Sequence, residues 1–423
     1  MEKEKRARIK YATTVDDAGA SYDMIVPQAP GVSIFVARSD GENIERKSIS
    51  KAGVVVKPLL RSNPLIQHKI VRFPSAVGMY DSQETLVEAI FMVLQRYVSL
   101  TATQYVIAAH YILLSWVYDR FESLPYLRVR GDFGTGKSRF LSIVGGLCYK
   151  AIFASGASTV APLFHLIDQI GGTVVLDEAD FRFSSETADI TKILNNGSSR
   201  GFPVLRCQKT PRGTFDTVAY RVFGPKVIAT RFGFDDQALE SRCITFDMGG
   251  MHKDHTVPSA LPHSIDEELD MLRNALLAFR LCSKSFAVPD VEECELSRRG
   301  VQVYGPLLAM VGSTEDRERV LAFAKESQGQ MVRDRGMSTE AEVLRVIYAH
   351  YASESAPISI GVLAKKYADR YGKDSEQYVS AKWMGTVVRG RLQLKTRKSN
   401  GRYIIAENQS DRLQALYQSY DVP

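Results

Sequence analysis

Residues 131–138 read GDFGTGKS, which satisfies G-x-x-x-x-G-K-[ST] and carries an extra glycine at Gly134. A short apolar run before it (Tyr126, Leu127, Val129) predicts a strand ending at Gly131. Behind it, Phe140, Leu141, Val144 and Leu147 have helical spacing. Strand, glycine-rich turn and helix form the context a phosphate cradle requires. Gly131, Gly134 and Gly136 let the loop, Thr135 included, turn backbone N–H groups inward, and the new helix adds the positive end of its dipole. Lys137 is then placed to reach the β- and γ-phosphates of a nucleoside triphosphate, and the Ser138 hydroxyl to ligate Mg²⁺. The bland alternative is a glycine-rich turn with a chance lysine, and the flanks speak against it.

Beyond this loop the chain alternates between strand and helix. A short strand near residues 151–154 precedes a helix whose cap is Ser158 and whose stop is Gly171-Gly172. Residues 173–178 (TVVLDE) read as a strand ending in two carboxylates, and 224–230 (GPKVIAT) as another. Such alternation predicts a parallel sheet with ligands at the carboxyl ends of its strands. There Asp177 is placed to hold the metal and Glu178 to orient and deprotonate a water. Alone, such acids are common helix caps, and Asp180 is read that way. Thr230 ends its strand where a γ-phosphate or water would lie, or is a plain strand terminus. Arg242, just before the strand 243–246, is either an arginine finger entering a neighbour's site or a local partner of Glu240 or Asp236. Residues 202–208 and 214–220 flank a basic turn with Lys209 and Arg212, predicting a hairpin. Its tip would contact a nucleic-acid strand if several copies formed a ring; otherwise it is a solvated surface turn.

The 423 residues allow several domains, and 45% apolar with 24% charged residues is ordinary for a soluble globular chain. The charged N-terminus has no apolar run behind it, which predicts a cytoplasmic protein, and no segment is apolar for long enough to cross a bilayer. Five cysteines without a C-x-x-C pair argue against a structural zinc. The expected divisions are a small, mostly β region (1–75), a helical region (76–124), an α/β ATPase core with a parallel sheet (125–256), a helical lid (257–336) and a C-terminal domain (337–423).

With these residues assembled, the chain resembles the AAA+-type P-loop helicase ATPases of phages, plasmids and mobile elements, above all the ATPase domain that accompanies phage primases. It is similar, more distantly, to superfamily III and minichromosome-maintenance helicases. GDFGTGKSRFL (131–141), TVVLDEAD (173–180), ILNNGSSRGFPVLR (193–206), FGPKVIAT (223–230), ALESRCI (238–244) and SRRGVQVYGPLLAM (297–310) carry the likeness, over roughly residues 120 to 315. The resemblance implies ATP and Mg²⁺ as cofactors, with nucleotide contacts by Gly136, Lys137 and Ser138. It also implies metal and water handling by Asp177 and Glu178, a sensor at Thr230, a trans-acting finger at Arg242 and a second sensor at Arg299. As partners it implies single-stranded DNA in a pore, further copies of the chain in a ring, usually hexameric, and a primase or other replication protein. Many relatives place Asn where this chain has Thr230 followed by Arg231, and no primase motif is recognisable in the N-terminal region.

The C-terminal pattern is three helices and a hairpin, the last turned by Asn400-Gly401, and predicts a winged helix. Lys382, Arg389, Arg391, Lys395, Arg397, Lys398 and Arg402 fall within 21 residues that contain no acid. That concentrates charge on the third helix and the wing, where this fold usually meets duplex DNA. The alternative is a winged helix used for protein contacts. Trp383 is read as core. Two functions suit the whole: an ATP-driven DNA translocase or helicase in replication, and a nucleotide-switched initiator or regulator that does not unwind.

Overall fold

Tyr126–Arg130 (β1), Ile152–Ser155 (β2), Val174–Asp177 (β3), Lys226–Thr230 (β4) and Cys243–Asp247 (β5) form a parallel sheet in the order β5-β1-β4-β3-β2. The structure, a computed structural model, describes residues 8–10, 12–28, 31–39, 41–155, 160–177, 185–209, 213–234, 236–249, 257–283, 285–354, 356–371 and 379–422. It divides into two compact units, residues 1–322 and 323–423. Near-continuous apolar strands such as Val174-Val175-Leu176 are what a sheet covered on both faces selects. The expected α/β class with a parallel sheet is therefore present.

The chain leaves β1, crosses to the far edge and returns strand by strand, so β4 lies between β1 and β3. This order sets the carboxyl ends of β1, β4 and β3 side by side. The helix Ala102–Trp116, capped reciprocally by Thr101 and Gln104, is buried along nearly its whole length. Its Tyr111 hydroxyl donates to the Lys226 carbonyl at 2.8 Å, and Trp116 donates to Leu147 O at 2.8 Å. Behind the glycine-rich loop, the helix Lys137–Phe140 continues as a π-helical turn, Leu141–Gly145. A Cβ on Gly145 would meet the Val175 side chain at 2.9 Å, so this glycine lets the helix press onto β3.

Residues before 75 form a four-stranded antiparallel sheet and a three-stranded sheet. Residues 70–72, which follow these sheets, run along edge strand β2: Arg72 N donates to Ala151 O and Phe153 N to Ile70 O, each at 2.9 Å. Asp23 reinforces the join from inside, accepting from Lys150 Nζ and Arg280 Nε at 2.7 Å each. The N-terminal region, helical region and core are thus one unit rather than separate bodies. The segment expected as a lid forms the helices Ile265–Cys282, Arg298–Leu308 and Thr314–Gly336. Ile265–Cys282 packs beside Gln83–Tyr97, where Tyr97 donates to Glu268 at 2.8 Å. No described residue of this segment lines the cavity at the glycine-rich loop.

The second unit has its own core, including Leu344, Ile347, Leu363, Met384, Val388 and Ile405. The helices Thr339–Ser353, Ile360–Tyr371 and Ala381–Thr386 precede the hairpin Thr396–Ser399/Arg402–Ile405. Asn400 (φ 46°) and Gly401 (φ 76°) make its turn as read from sequence. Trp383 packs against this core, 5.6 Å from the Tyr367 ring. A further helix, Ser410–Ser419, closes the unit; Leu413 and Leu416, three apart and buried, are the signal that marks it.

Candidate active site

The loop 131–138 leaves β1 at the edge where β4 and β3 also end. Gly131 N donates to Thr230 O at 3.2 Å, tying the start of the loop to β4. Gly134 and Gly136 have φ of 75° and 93°, conformations that other residues rarely adopt. A Cβ on Gly131 would lie 3.0 Å from Thr135 Oγ1 and 3.2 Å from Met248 Cβ, so all three glycines have a geometric reason. The loop encloses a cavity of about 330 Å³ lined by 133–139, Asp177 and Ala229 to Arg231.

Within it, Ser138 Oγ donates to Asp177 Oδ2 at 3.1 Å, bringing together the two residues expected to hold a metal. A hydroxyl and a carboxylate are hard oxygen donors, the set that suits Mg²⁺ bound jointly with phosphate oxygens. Lys137 Nζ donates to the carbonyls of Gly131 and Asp132 at 2.6 and 2.7 Å, folded back over the loop it follows. Thr230 is 1% exposed, and its hydroxyl has no hydrogen-bond partner among the described residues. A buried hydroxyl left unsatisfied beside a polar cavity fits an additional oxygen-bearing ligand there.

Of the lining residues, Phe133, Arg139 and Ala229 were not singled out from sequence, and Arg231 only as the residue that follows Thr230. The Arg231 guanidinium lies 4.0 Å from the centroid of the exposed Phe133 ring, so a cation of this subunit's own stands over the loop. Its signal was its place directly after the strand-end threonine. Glu178, Asp180 and Arg212 lie outside the described residues, as does the side chain of Lys209.

Arg242 and Arg299 are at the other end of the sheet. Arg242 O accepts from Tyr126 N at the start of β1, some 13 Å of strand (four steps of about 3.3 Å) from the loop. Its Nε donates to Ser198 Oγ at 2.9 Å. Of the carboxylates offered as its local partners, Glu240 takes a two-pronged bond from the buried Arg128, whereas Asp236, which accepts from Asn195 at 2.8 Å, also feels the Arg242 charge. Arg299 donates to Ser241 Oγ at 3.1 Å, beside Arg242. Burial and then the Arg242 charge pull the Arg299 pKa down. Arg299 therefore does not line this subunit's cavity, contrary to a nucleotide-binding role within one chain; the helix that bears it, Arg298–Leu308, packs against Ala102–Trp116.

The hairpin is present as Val204–Lys209 paired with Phe215–Tyr220, and it exposes Leu205 and Phe215. It rests on the helix Val160–Ile170 through Tyr220 and His165, 3.1 Å apart, and Arg206, 4.1 Å from the Phe164 ring. Its foot is held by Lys226, the first residue of β4. The fully buried Nζ donates to Gly197 O at 3.1 Å and to Val222 O and Gly224 O at 2.8 Å. One strand thus carries the hairpin anchor at one end and Thr230 at the other.

Burial without a carboxylate partner among the described residues draws the Lys226 pKa from 10.5 down to about 7. The unfolded chain keeps that proton up to about pH 10.5, so folding is disfavoured at neutral pH and stability grows as pH rises from about 7. Relative to Lys226→Met, the wild type should gain about 1 kcal/mol per pH unit between pH 7.5 and 9.5. Thermal unfolding midpoints of the two chains across that range check this; parallel curves would refute it.

Among the described residues no group of three His, Cys, Asp or Glu is placed to hold a metal, all five cysteines are free, and no helix is long and apolar enough to cross a membrane. No protein-family model and no curated protein matches the sequence. Among solved structures, the NrS-1 C-terminal region aligns at a TM-score of 0.37 and 10% identity, covering 91% of this chain and 95% of that one. A full-length MCM homolog from Methanopyrus kandleri aligns at 0.36 and 10%, covering 73% and 77%. The JCV helicase aligns at 0.25 and 14%, covering 58% and 67%. Superpositions this loose fix neither fold nor function.

Proposed function

We propose that the chain is an ATP-driven DNA translocase, a helicase of phage or mobile-element replication, that hydrolyses ATP between subunits of a ring. One observation carries this reading: β4 runs from the cavity holding Ser138, Asp177 and Thr230 to the lysine that anchors a basic hairpin. A nucleotide-dependent shift at Thr230 therefore has a rigid route to the hairpin foot. Bound Mg²⁺-ATP would supply the phosphoanhydride and the charge that Ser138, Asp177 and Lys137 receive. Asp177 and Ser138 would hold the metal side, Lys137 would leave the loop carbonyls for the phosphates, and Glu178 would position and deprotonate the water. Arg242, with Arg299 beside it, stands at the start of β1, the end of the sheet away from its own loop, which suits service to a neighbouring subunit. The C-terminal unit is read as a winged helix that grips DNA.

A strand-displacement assay tests the reading. Wild type should unwind a forked duplex with ATP, Lys209→Ala/Arg212→Ala should hydrolyse ATP without unwinding, and Glu178→Gln should do neither. If the wild type hydrolyses ATP and binds DNA but unwinds nothing, it is instead a nucleotide-switched initiator.

A further inference from the structure

Basic residues of the C-terminal unit differ in whether a carboxylate answers them. Arg391 donates to Glu340 at 3.1 Å and Arg397 to Glu407 at 2.6 Å, so these charges are answered locally. Lys365, Lys382, Arg389 and Arg402 instead line one cavity of about 550 Å³, between the start of the helix Ile360–Tyr371, the helix Ala381–Thr386 and the strand Arg402–Ile405. No carboxylate lines it among the described residues, and none of the four cations has a described acidic partner. Tyr403 borders the same space, 54% exposed, with the Arg389 guanidinium 5.6 Å from its ring centroid.

A duplex reader presents a convex helix to the major groove. Here four cations without an acidic partner among the described residues surround a concavity with an aromatic face at its rim. Cations track a nucleic-acid backbone whatever its form, but a base can stack on a side chain only once it has left its own stack. The volume lies in the range of small-ligand sites, enough for a nucleotide.

We propose that this cavity takes an unstacked nucleotide of single-stranded DNA, its base on Tyr403 and its flanking phosphates among Lys365, Lys382, Arg389 and Arg402. The proposal rests on the reading of the C-terminal unit as a DNA contact, replaces the duplex expected there, and does not depend on ATP hydrolysis.

The test uses the full chain, without nucleotide, and an oligothymidylate carrying 5-iodouracil, whose light-driven cross-link forms with an aromatic ring in contact with the base. The cross-linked peptide, read by mass spectrometry, should contain Tyr403. Tyr403→Leu should lose that adduct and bind the oligomer about tenfold more weakly, while Tyr403→Phe keeps both and blunt-duplex affinity changes less than about twofold. Lys365→Gln/Arg402→Gln should flatten the salt dependence of oligomer binding by about 1.4 in log–log slope, two phosphate contacts at about 0.7 each. Oligomer binding with cross-links only elsewhere, or an equal loss of duplex binding in Tyr403→Leu, would overturn the site. A chain that binds no DNA of either form would overturn the DNA reading of this unit along with it.

Discussion

The Lys137→Ala chain is expected to fold like the wild type and to hydrolyse ATP on the order of 10²–10³-fold more slowly, the usual cost of removing a preorganised donor from a charged transition state. Folding should survive because, among the described residues, Lys137 Nζ bonds only the loop's own carbonyls, those of Gly131 and Asp132. Ser138→Ala and Asp177→Asn should differ in kind. Each removes one of two oxygen donors that meet at 3.1 Å, so each should raise the Mg²⁺ concentration needed for half-maximal turnover. A Mg²⁺ titration of ATPase activity separates the three variants; identical Mg²⁺ requirements would contradict the assignment of Ser138 and Asp177 to the metal.

Asp23→Ala should be the most destabilising single change in the first unit, by about 3–5 kcal/mol, the cost of leaving buried charge unpaired. Asp23 is 1% exposed and accepts from Lys150, Arg280 and Tyr149. Burial alone would raise its pKa, but Arg280 and Lys150 overcome that and hold the carboxyl far below the usual carboxylate range. A lowered carboxyl pKa contributes stability above its unfolded value near 3.8 that disappears as pH falls through the acid range. In the variant, Arg280 keeps Asp119 at 2.7 Å, whereas Lys150 keeps only Ala12 O and the Thr13 hydroxyl. Adding Lys150→Met should therefore recover part of the loss. Urea midpoints of the two variants read this directly, and a double variant less stable than Asp23→Ala would show that the charge cluster is not the cause.

Sequence exposed the features whose causes are local. The loop is legible because its glycines answer to φ angles and to one close approach, and the Ser138–Asp177 contact because Asp177 ends a strand one unit after Ser138. The C-terminal hairpin is legible because Asn400-Gly401 fits a turn of positive φ. Features with distant causes were not legible. Arg128 sits in the middle of β1 as a fully buried cation, acceptable only because Glu240 and Thr245 reach it from β5 and the turn before it. Lys226 reads as an interruption of an apolar strand until three carbonyls converge on it. Arg299 looks like a lid residue in sequence and proves to stand by Arg242, because helix Arg298–Leu308 packs by tertiary contact that no periodicity encodes. Likewise, seven clustered basic residues could not be divided until Glu340 and Glu407 were seen to answer two of them.

The claim that the nucleotide site is completed by a neighbouring subunit has one direct measurement: ATP hydrolysis by a one-to-one mixture of Lys137→Ala and Arg242→Ala chains with single-stranded DNA. Each variant alone should be nearly inactive, one lacking the phosphate lysine and the other the finger. In a head-to-tail ring, about a quarter of the interfaces in the mixture pair an intact loop with an intact Arg242, so activity should return toward that fraction of wild type. A mixture no more active than its two components, in rings shown to contain both chains, would contradict the shared site.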